Sequence, residues 1–170
     1  MAAGLMLSRV LSDTPLGPLT VLLSQAGVVA TFPTEDREEP AAFAERLGAT
    51  MRRSHPKGRL VREELASYFD GRLRRFETPV DLSTIAAGFP RTVLERTRSI
   101  PYGELRTYGD VAAASGSPGA ARAAGSALAR CPIDLFVPCH RVVRSGPSLG
   151  AYGGHDERRR YLLRLEGAMV

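Results

Sequence analysis

The chain has 170 residues, of which 44% are hydrophobic and 24% charged, and a net charge of +5 at pH 7. This composition is ordinary for a chain that folds into one or two soluble domains. The sequence contains no apolar run near the ~20 residues that a membrane helix needs, and its first ten residues lack the pattern of a secretory signal. We therefore expect a cytoplasmic protein with no membrane partner.

The cysteine and histidine content excludes two further classes of protein, those built on a disulfide framework and those with a zinc site. Two cysteines, Cys131 and Cys139, are too few for a disulfide framework, which also favours a reducing compartment. The cysteines and the three histidines do not form a cluster with the spacing of a zinc site. We expect no bound metal.

The positive charge lies in the C-terminal half. Residues 1–85 hold eleven basic and eleven acidic residues, whereas residues 86–170 hold twelve arginines and seven acidic residues. A basic half favours a polyanionic partner such as DNA. A solvated, arginine-rich surface without such a partner agrees equally well with the charge alone.

The first part of the chain has the pattern of a small α/β domain. Two short apolar runs separated by a glycine turn, Leu19–Leu23 and Val28–Phe32, predict a β-hairpin. Helical composition follows over Glu38–Leu47, and near-helical apolar spacing over Leu60–Phe69. Phe76–Leu82 is a candidate short strand or extended segment. We expect these elements to form one domain, residues 1–84, with a small antiparallel sheet.

The second part, residues 85–170, is predicted to be mainly helical. A short helix over Arg91–Arg98 precedes the sequence Thr107-Tyr108-Gly109-Asp110, which has the form of a capped helix start. That helix should end near Ala114. A Ser117-Pro118 pair then predicts the start of the next helix, which continues to Arg130. Two short helices joined by a glycine-containing turn are typical of a helix-turn-helix.

The second of these two helices has almost only small side chains. Arg122 is its one long side chain before Leu128. Such a helix could approach DNA closely, with Arg122 as a probe of the groove. Tight packing inside the core is an equally ordinary use of alanine, and the segment alone favours it.

A cysteine followed by a histidine is the candidate chemical centre. An apolar, strand-like run from Ile133 delivers Pro138 and Cys139, followed by the two candidate cations His140 and Arg141. The thiolate is the reactive form of cysteine, and adjacent cations lower the pKa of a thiol. In an extended chain neighbouring side chains point to opposite faces, so a turn or a bridging water is needed for contact between Cys139 and His140. The alternative is a buried, inert cysteine.

The last helix, capped by His155 or Asp156, offers a third member of this centre. Glu166 lies at its C-terminal end, where the helix dipole disfavours a carboxylate. A buried histidine partner would account for that position. A solvated residue at a frayed helix end is the alternative.

The segment Pro138-Cys139-His140-Arg141-Val142 resembles the active-site signature of the O6-alkylguanine-DNA alkyltransferases, or methylated-DNA–protein-cysteine methyltransferases. The resemblance covers nearly the whole chain and is strongest from Phe89 to Glu166. It includes five further segments: Thr14–Leu19, Ile100–Glu104 with Thr107–Gly109, Pro118–Ala123, Gly150–Gly154 and Leu162–Glu166.

The resemblance implies repair of O6-alkylguanine, and also of O4-alkylthymine, in double-stranded DNA. Cys139 would be the nucleophile and permanent acceptor of the alkyl group, in a single irreversible turnover without a cofactor. His140 would act as base through a water molecule and Glu166 would orient it. Tyr108 would help to rotate the nucleotide out of the helix and would donate a proton to the leaving base. The protein would act as a monomer.

The resemblance also assigns residues to DNA and to the alkyl pocket. Arg122 would replace the flipped guanine in the base stack, and Ser145 would approach the DNA backbone. The remaining residues expected to contact DNA are Thr107, Ser117, Ala121 and Gly125. The residues expected to line the pocket are Pro138, Val142, Tyr152 and Gly153.

One departure from the family pattern lies close to the nucleophile. The family usually has asparagine before the proline that precedes the active-site segment, and this chain has Cys131 there. The asparagine braces the turn through hydrogen bonds, which a thiol, as a weak donor, does not replicate.

The fold implied is a ribonuclease-H-like α/β domain followed by a mainly helical domain with a winged helix-turn-helix. Three other functions remain open: a damage-binding protein of the same fold without transfer activity, a helix-turn-helix regulator and a cysteine hydrolase. The presence of Cys139 disfavours a damage-binding protein without transfer activity. The lack of a sensor domain disfavours a helix-turn-helix regulator. A hydrolase would need an oxyanion hole and would turn over repeatedly.

Overall fold

The computed structural model describes residues 5–52, 54–146, 148–150 and 155–168. The chain divides into two units, residues 1–84 and 85–170. Of the elements in the described part of the chain, the first unit contains four strands and two helices. The second unit contains the other four helices and two very short strands. Among those helices there is none with the length and apolar character to cross a membrane.

The sheet of the first unit is mixed. Its strands are β1 (Met6–Thr14), β2 (Gly17–Leu23), β3 (Val28–Phe32) and β4 (Thr50–Arg52), in the spatial order β3-β2-β1-β4. The first three pair antiparallel, but β4 pairs parallel with β1. The expectation of a wholly antiparallel sheet is therefore wrong. Helix α1 (Glu38–Arg46) lies between β3 and β4, and parallel pairing requires such a crossover.

The core of the first unit forms where strands and helices meet. Apolar side chains on the strands and on α1 make one buried cluster: Leu7, Leu22, Val29, Ala30, Phe32 and Ala44. Helix α2 (Gly58–Phe69) packs on β1 and buries Val61, Leu65 and Tyr68. The near-helical spacing seen in the sequence is thus the buried face of α2.

The segment predicted as a short strand or extended chain makes one β-bridge, between Val80 and Val28. Before it, the buried carboxylate of Glu64 accepts hydrogen bonds from the backbone N–H of Glu77 at 2.6 Å and from the hydroxyl of Thr78 at 2.6 Å. These side-chain bonds take the place of a strand ladder there, because they satisfy the backbone donors.

The second unit begins with α3 (Phe89–Arg98), which packs against both α4 (Tyr108–Ala114) and α5 (Ala121–Ala129). Two very short strands, β5 (Arg106–Thr107) and β6 (Val142–Val143), pair parallel. The unit ends with α6, Asp156–Leu165.

The two central helices of this unit start differently. Thr107 caps α4 in a full capping box with Asp110, as the sequence predicts. The predicted start of the next helix at Ser117-Pro118 is wrong, because α5 begins only at Ala121. Gly119 has a φ of 90°, and the N–H of Ala120 donates to the carbonyl of Ser117 at 3.1 Å. The left-handed glycine makes this segment a β-turn between the helices.

Candidate active site

Cys139, His140 and Arg141 form a single 3-10 turn rather than part of a strand. The N–H of Arg141 donates to the carbonyl of Pro138 at 2.9 Å, and the N–H of Val142 donates to the carbonyl of Cys139. The expectation of a strand-like delivery is wrong. The turn provides the change of direction that contact between neighbouring side chains requires.

The chain before this turn is also bent. The N–H of Val137 donates to the carbonyl of Ile133 at 2.9 Å, which closes a loop ahead of the cysteine. Leu135, inside the loop, has a φ of 75°. A branched side chain in the left-handed region costs about 1–2 kcal/mol. Leu135 is only 2% exposed, and burial of its side chain offsets that cost.

Glu166 follows the last residue of α6 and holds two side chains of the turn. Its Oε1 lies 2.8 Å from Nε2 of His140. Nε of Arg141 donates to Oε2 at 2.8 Å, and Nη2 of Arg141 donates to Oε1 at 2.9 Å. Glu166 is 6% exposed, so the alternative of a solvated end residue is wrong. The arginine charge offsets the unfavourable position of the carboxylate at the C-terminal end of a helix.

A segment before β5 completes the environment of Glu166. The N–H of Gly103 donates to Oε2 of Glu166 at 3.2 Å, and the hydroxyl of Tyr102 donates to the carbonyl of Leu165 at 2.9 Å. Nη1 of Arg141 reaches the carbonyl of Ile100 at 2.6 Å. The carboxylate and its arginine partner are therefore held by groups from separate parts of the chain.

The imidazole of His140 is fully buried and has a defined orientation. Because Nε2 faces a carboxylate, that nitrogen carries the proton of the neutral ring, and Nδ1 is left as the acceptor. None of the residues described by the structure hydrogen-bonds to Nδ1. This acceptor is suited to take a proton from a neighbouring group.

Cys139 is buried, with 7% of the residue exposed. A hydrogen bond with the Cys131 side chain and, after it, burial raise the pKa of Cys139 well above its ordinary value. The expectation that the adjacent cations lower this pKa is wrong, since the guanidinium of Arg141 binds Glu166. A base is therefore needed to produce the reactive thiolate.

Tyr108 is brought to the side of this turn by the β5–β6 pairing. Thr107 lies opposite Val143, and Arg106 lies opposite Val142, the residue that follows the turn. Tyr108 comes directly after Thr107 and opens α4. Its ring lies 3.7 Å from the position that a Cβ at Gly125 would occupy, so α5 has a glycine where it meets this ring.

The residues expected to contact DNA lie at different degrees of exposure. On α5, Arg122 is exposed, while Ala121 and Gly125 are half-buried. Ser117, in the turn before that helix, is half-buried, and Ser145, after β6, is exposed. The hydroxyl of Thr107, by contrast, accepts the N–H of Asp110 at 3.1 Å as the cap of α4.

Of the residues expected to line the alkyl pocket, Pro138 and Val142 are buried next to the Cys139 turn. Tyr152 and Gly153 lie outside the described residues. Within the described part of the chain, no group of three or more His, Cys, Asp or Glu side chains is placed to hold a metal ion.

Three residues of the site have roles that the sequence does not reveal. Arg141 is expected to act as a cation beside the thiolate, but it is the main partner of Glu166. Gly103 lies in a segment that stands out only for its resemblance to the family. Arg159, buried on α6, has no signal beyond its place among three consecutive arginines. The buried partners of a residue depend on distant chain segments, which spacing does not reveal.

The chain is similar in sequence to DNA methyltransferases that act on methylated guanine or methylated DNA, by the names these proteins carry. The domain described as "6-O-methylguanine DNA methyltransferase, DNA binding domain" matches residues 88–168. A methylated-DNA–protein-cysteine methyltransferase of Mycolicibacterium paratuberculosis is 39% identical over 163 residues, covering 91% of this chain and 88% of that protein. The protein of the same name from Salmonella typhimurium is 37% identical over 167 residues, covering 92% of this chain and 94% of that protein.

Solved structures agree with these relatives. The O6-methylguanine methyltransferase of Mycobacterium tuberculosis superposes with a TM-score of 0.76 at 35% identity, covering 98% of this chain and 94% of that one. The Mycobacterium tuberculosis protein in complex with DNA gives a TM-score of 0.78 at 36% identity, covering 95% and 93% of the two chains.

Proposed function

The chain belongs to the methylated-DNA–protein-cysteine methyltransferase family, and we propose that it transfers the alkyl group of O6-alkylguanine in duplex DNA to its own Cys139. The observation that carries this proposal is the buried contact of 2.8 Å between His140 and Glu166, on the turn that begins with Cys139. That contact places an oriented base directly after a cysteine.

The first step is removal of the thiol proton. The Cys131 hydrogen bond and, after it, burial raise the pKa of Cys139, so the thiolate does not form without help at neutral pH. His140 takes the proton on Nδ1 through a bridging water molecule. The imidazolium that forms is paired with Glu166, whose position is fixed in turn by Arg141.

The second step is displacement at the alkyl carbon. The Cys139 thiolate forms a C–S bond while the bond between that carbon and O6 of guanine breaks. The electron pair of the broken bond stays on the base, which takes a proton from the hydroxyl of Tyr108. The proton held by His140 returns to the phenolate through solvent. Overall, one proton moves from sulfur to guanine, and unmodified guanine remains in the DNA.

The product explains why the reaction is a single turnover. A thioether is stable, and no step in this scheme restores the thiol of Cys139. The scheme needs only the protein and the alkylated DNA, with no cofactor. O4-alkylthymine presents the same alkyl–oxygen bond and is a second substrate in this proposal.

Access to the reactive carbon requires the base to leave the duplex, because the stack hides its edge. The exposed Arg122 on a helix of small residues supports a role as the side chain that replaces the flipped base. We assign further DNA contacts to Ala121 and Gly125 on the same helix and to Ser117 in the turn before it. Thr107 adds a contact at the start of α4, and Ser145 approaches the DNA backbone.

The alkyl group itself needs an apolar space beside the sulfur of Cys139. Pro138 and Val142 are buried on either side of the turn and supply part of that space. We assign the rest of the pocket wall to Tyr152 and Gly153.

We assign the two units to the architectures that the family resemblance implies. The order β3-β2-β1-β4, with the fourth strand parallel to the first after a helix, supports a ribonuclease-H-like first unit. The helices α4 and α5, joined by the Pro118–Gly119 turn, support a winged helix-turn-helix in the second. Action as a monomer is likewise assigned from the family resemblance.

Mass spectrometry tests the proposal directly. The protein is incubated with a duplex that carries one O6-methylguanine, and intact mass and peptides are then measured. We expect one added methyl group, on the Cys139 peptide, and unmodified guanine in the recovered DNA. Tight binding to the damaged duplex without added mass would contradict transfer and would establish a damage-binding protein instead.

The variant Cys139→Ala provides the matching control. It removes the acceptor and should abolish transfer while leaving binding to the duplex intact. Transfer to any other residue in this variant would show that Cys139 is not the nucleophile. An unmodified Cys139 with repeated turnover of substrate would indicate a hydrolase.

A further inference from the structure

Arg158 and Asp134 form an ion pair that connects α6 to the loop ahead of Cys139. Nε of Arg158 lies 3.6 Å from Oδ2 of Asp134. The Arg158 side chain is 15% exposed and the Asp134 side chain 29% exposed, so water and salt screen this pair only in part. Within the described part of the chain, Nε of Arg158 is buried and makes no hydrogen bond. The carboxylate of Asp134 therefore supplies the negative charge that compensates this buried nitrogen.

Backbone contacts fix the place of Asp134 relative to the nucleophile. Asp134 makes a β-bridge with Val137, and the N–H of Val137 donates to the carbonyl of Ile133 at 2.9 Å. The N–H of Cys139 donates in turn to the carbonyl of Val137 at 2.7 Å. The backbone that carries the Asp134 carboxylate cannot move away from Cys139 without breaking one of these contacts.

The rest of this loop is apolar and buried. Four of its side chains belong to residues that are at most 4% exposed: Ile133, Leu135, Phe136 and Val137. Charges act on each other more strongly in such surroundings than in water, because little solvent is there to screen them. After the Cys131 contact and burial, the negative charge of Asp134 is a further cause that raises the pKa of Cys139.

Other titratable and charged groups flank Cys139 from several elements. They are Cys131 after α5, Tyr108 at the start of α4, His140 and Arg141 on the turn, and Glu166 at the end of α6. Arg141 is bound by Glu166, so the charges of these two residues offset each other. Arg158 does the same for Asp134 from the first turn of α6. Helix α6 thus contacts the chain on both sides of the nucleophile, through Arg158 before it and through Glu166 after it.

From this geometry we propose that Arg158 is a positioning residue for the transfer reaction, which holds the Asp134 carboxylate and offsets its negative charge where the Cys139 thiolate forms. The inference rests on the proposed function and deepens it, because attack on the alkyl carbon needs the thiolate. A carboxylate and a thiolate repel each other in a partly buried site, so the charge of Asp134 without that of Arg158 would oppose the reaction. Arg158 does not touch the substrate and acts through Asp134.

The test breaks the ion pair from either side. Arg158→Gln removes the cation and leaves Asp134 charged, whereas Asp134→Asn removes the anion. Arg158→Lys keeps a cation at the position, and Arg160→Gln is the control, because Arg160 is an exposed arginine on the same helix. The rate of iodoacetamide labelling at Cys139 is measured at neutral pH and over a pH series. Thermal unfolding verifies that each variant is folded.

We expect Arg158→Gln to slow labelling at neutral pH about 3- to 10-fold, since a pKa change of about one unit alters the thiolate fraction about tenfold. Asp134→Asn should speed labelling, and Arg158→Lys and Arg160→Gln should stay close to the unmodified protein. A pair that served only to hold the loop would give the same direction of change in both variants, because either substitution breaks it. Changes in the same direction in Arg158→Gln and Asp134→Asn would therefore overturn the inference.

The double variant shows whether Arg158 acts through Asp134. In the Asp134→Asn background, Arg158→Gln should slow labelling by less than it does in the unmodified background, because the charge that Arg158 offsets is gone. Equal slowing in the two backgrounds would refute an action through Asp134.

Iodoacetamide labelling also separates this inference from the proposed function, since it needs the thiolate but no DNA. If the unmodified protein transferred no alkyl group, the proposed function would fail, and the labelling rates would still decide whether Arg158 offsets Asp134. With the O6-methylguanine duplex, the maximal single-turnover rate should fall in Arg158→Gln and rise in Asp134→Asn. A maximal rate that stayed the same in Arg158→Gln, despite slower labelling, would overturn the role of Arg158 in transfer.

Discussion

Gly103 lies against Glu166 so closely that no other residue fits there. Its N–H donates to Oε2 of Glu166, and a Cβ at this position would lie 2.8 Å from the carbonyl oxygen of Glu166. The φ of Gly103 is 78°, in the left-handed region. The carboxylate that orients His140 is thus supported by a backbone segment 63 residues earlier in the chain.

The substitution Gly103→Ala should move Glu166 and slow transfer. Gly116→Ala is the matched control, because Gly116 has a similar φ of 83° but no atom within 4 Å of the place where the alanine methyl group would lie. The control should lose about 1 kcal/mol of unfolding free energy from backbone strain alone. Gly103→Ala should lose about 2 kcal/mol more from the clash. Urea unfolding and single-turnover rates check this, and equal losses in the two variants would contradict it.

Glu166→Gln should slow transfer about 10²- to 10⁴-fold, the range in which general acid–base groups contribute. The amide has no charge to stabilise an imidazolium on His140. It also leaves the buried guanidinium of Arg141 without its counter-ion, at a cost of about 3–5 kcal/mol of unfolding free energy. Single-turnover transfer and urea unfolding measure the two effects separately.

The matched control for Glu166→Gln is Glu104→Gln. Glu104 pairs with Arg106 at 2.7 Å, and both side chains are more than 40% exposed. Exposed pairs contribute about 0–1 kcal/mol, so this variant should keep both its stability and its rate. A Glu166→Gln protein as stable and as fast as this control would show that the buried contacts are dispensable.

Cys131→Ala should make Cys139 more reactive at neutral pH. The Cys131 hydrogen bond is the largest cause of the raised pKa of Cys139. Its removal lowers that pKa, so the thiolate fraction at a given pH below it increases. The pH profile of iodoacetamide labelling at Cys139 should shift to lower pH. Cys131→Ser, which keeps a polar partner, should shift less, and a shift to higher pH in Cys131→Ala would refute the assignment.

Arg122→Ala should weaken repair of duplex DNA far more than reaction with free O6-benzylguanine. Only the duplex requires a side chain to fill the stack, and base extrusion costs a few kcal/mol. We expect a loss of about 10- to 100-fold with the duplex and little change with the free base. Arg130→Ala, an exposed arginine at the end of the same helix, controls for loss of charge. Equal losses with both substrates would argue against a role in extrusion.

Strand β1 shows where the sequence is misleading about the fold. It is the longest strand of the described chain, yet the sequence pattern predicts no strand over Met6–Thr14. Ser8 and Ser12 are buried in it, and the hydroxyl of Ser8 donates to the carbonyl of Ser54 at 3.0 Å. Buried polar residues break the apolar alternation by which strands are identified. The hairpin β2–β3 and the helices α1 and α2, whose buried faces are largely apolar, lie close to their predicted bounds.

At the chemical centre, too, the sequence predicts some features and not others. Local patterns predict the cap of α4 and the place of Glu166 at the end of α6, because both depend on neighbouring residues. They do not predict the direction of the pKa shift at Cys139. That direction depends on where the side chain of Arg141 goes, and a carboxylate 25 residues later in the chain binds that side chain. Such a competition between distant partners is decided only in the folded chain.

The way in which Glu166 is shared has a consequence for how this protein tolerates change. Gly103 binds Oε2 of Glu166, His140 binds Oε1, and Arg141 binds both oxygens. A substitution at one of these residues therefore alters the partners available to the others. Their effects should be strongly epistatic: the effect of a double substitution on rate and stability should differ greatly from the sum of the effects of the two single substitutions. These four positions should therefore vary together or not at all during evolution, and a library that randomises them singly should yield few active members.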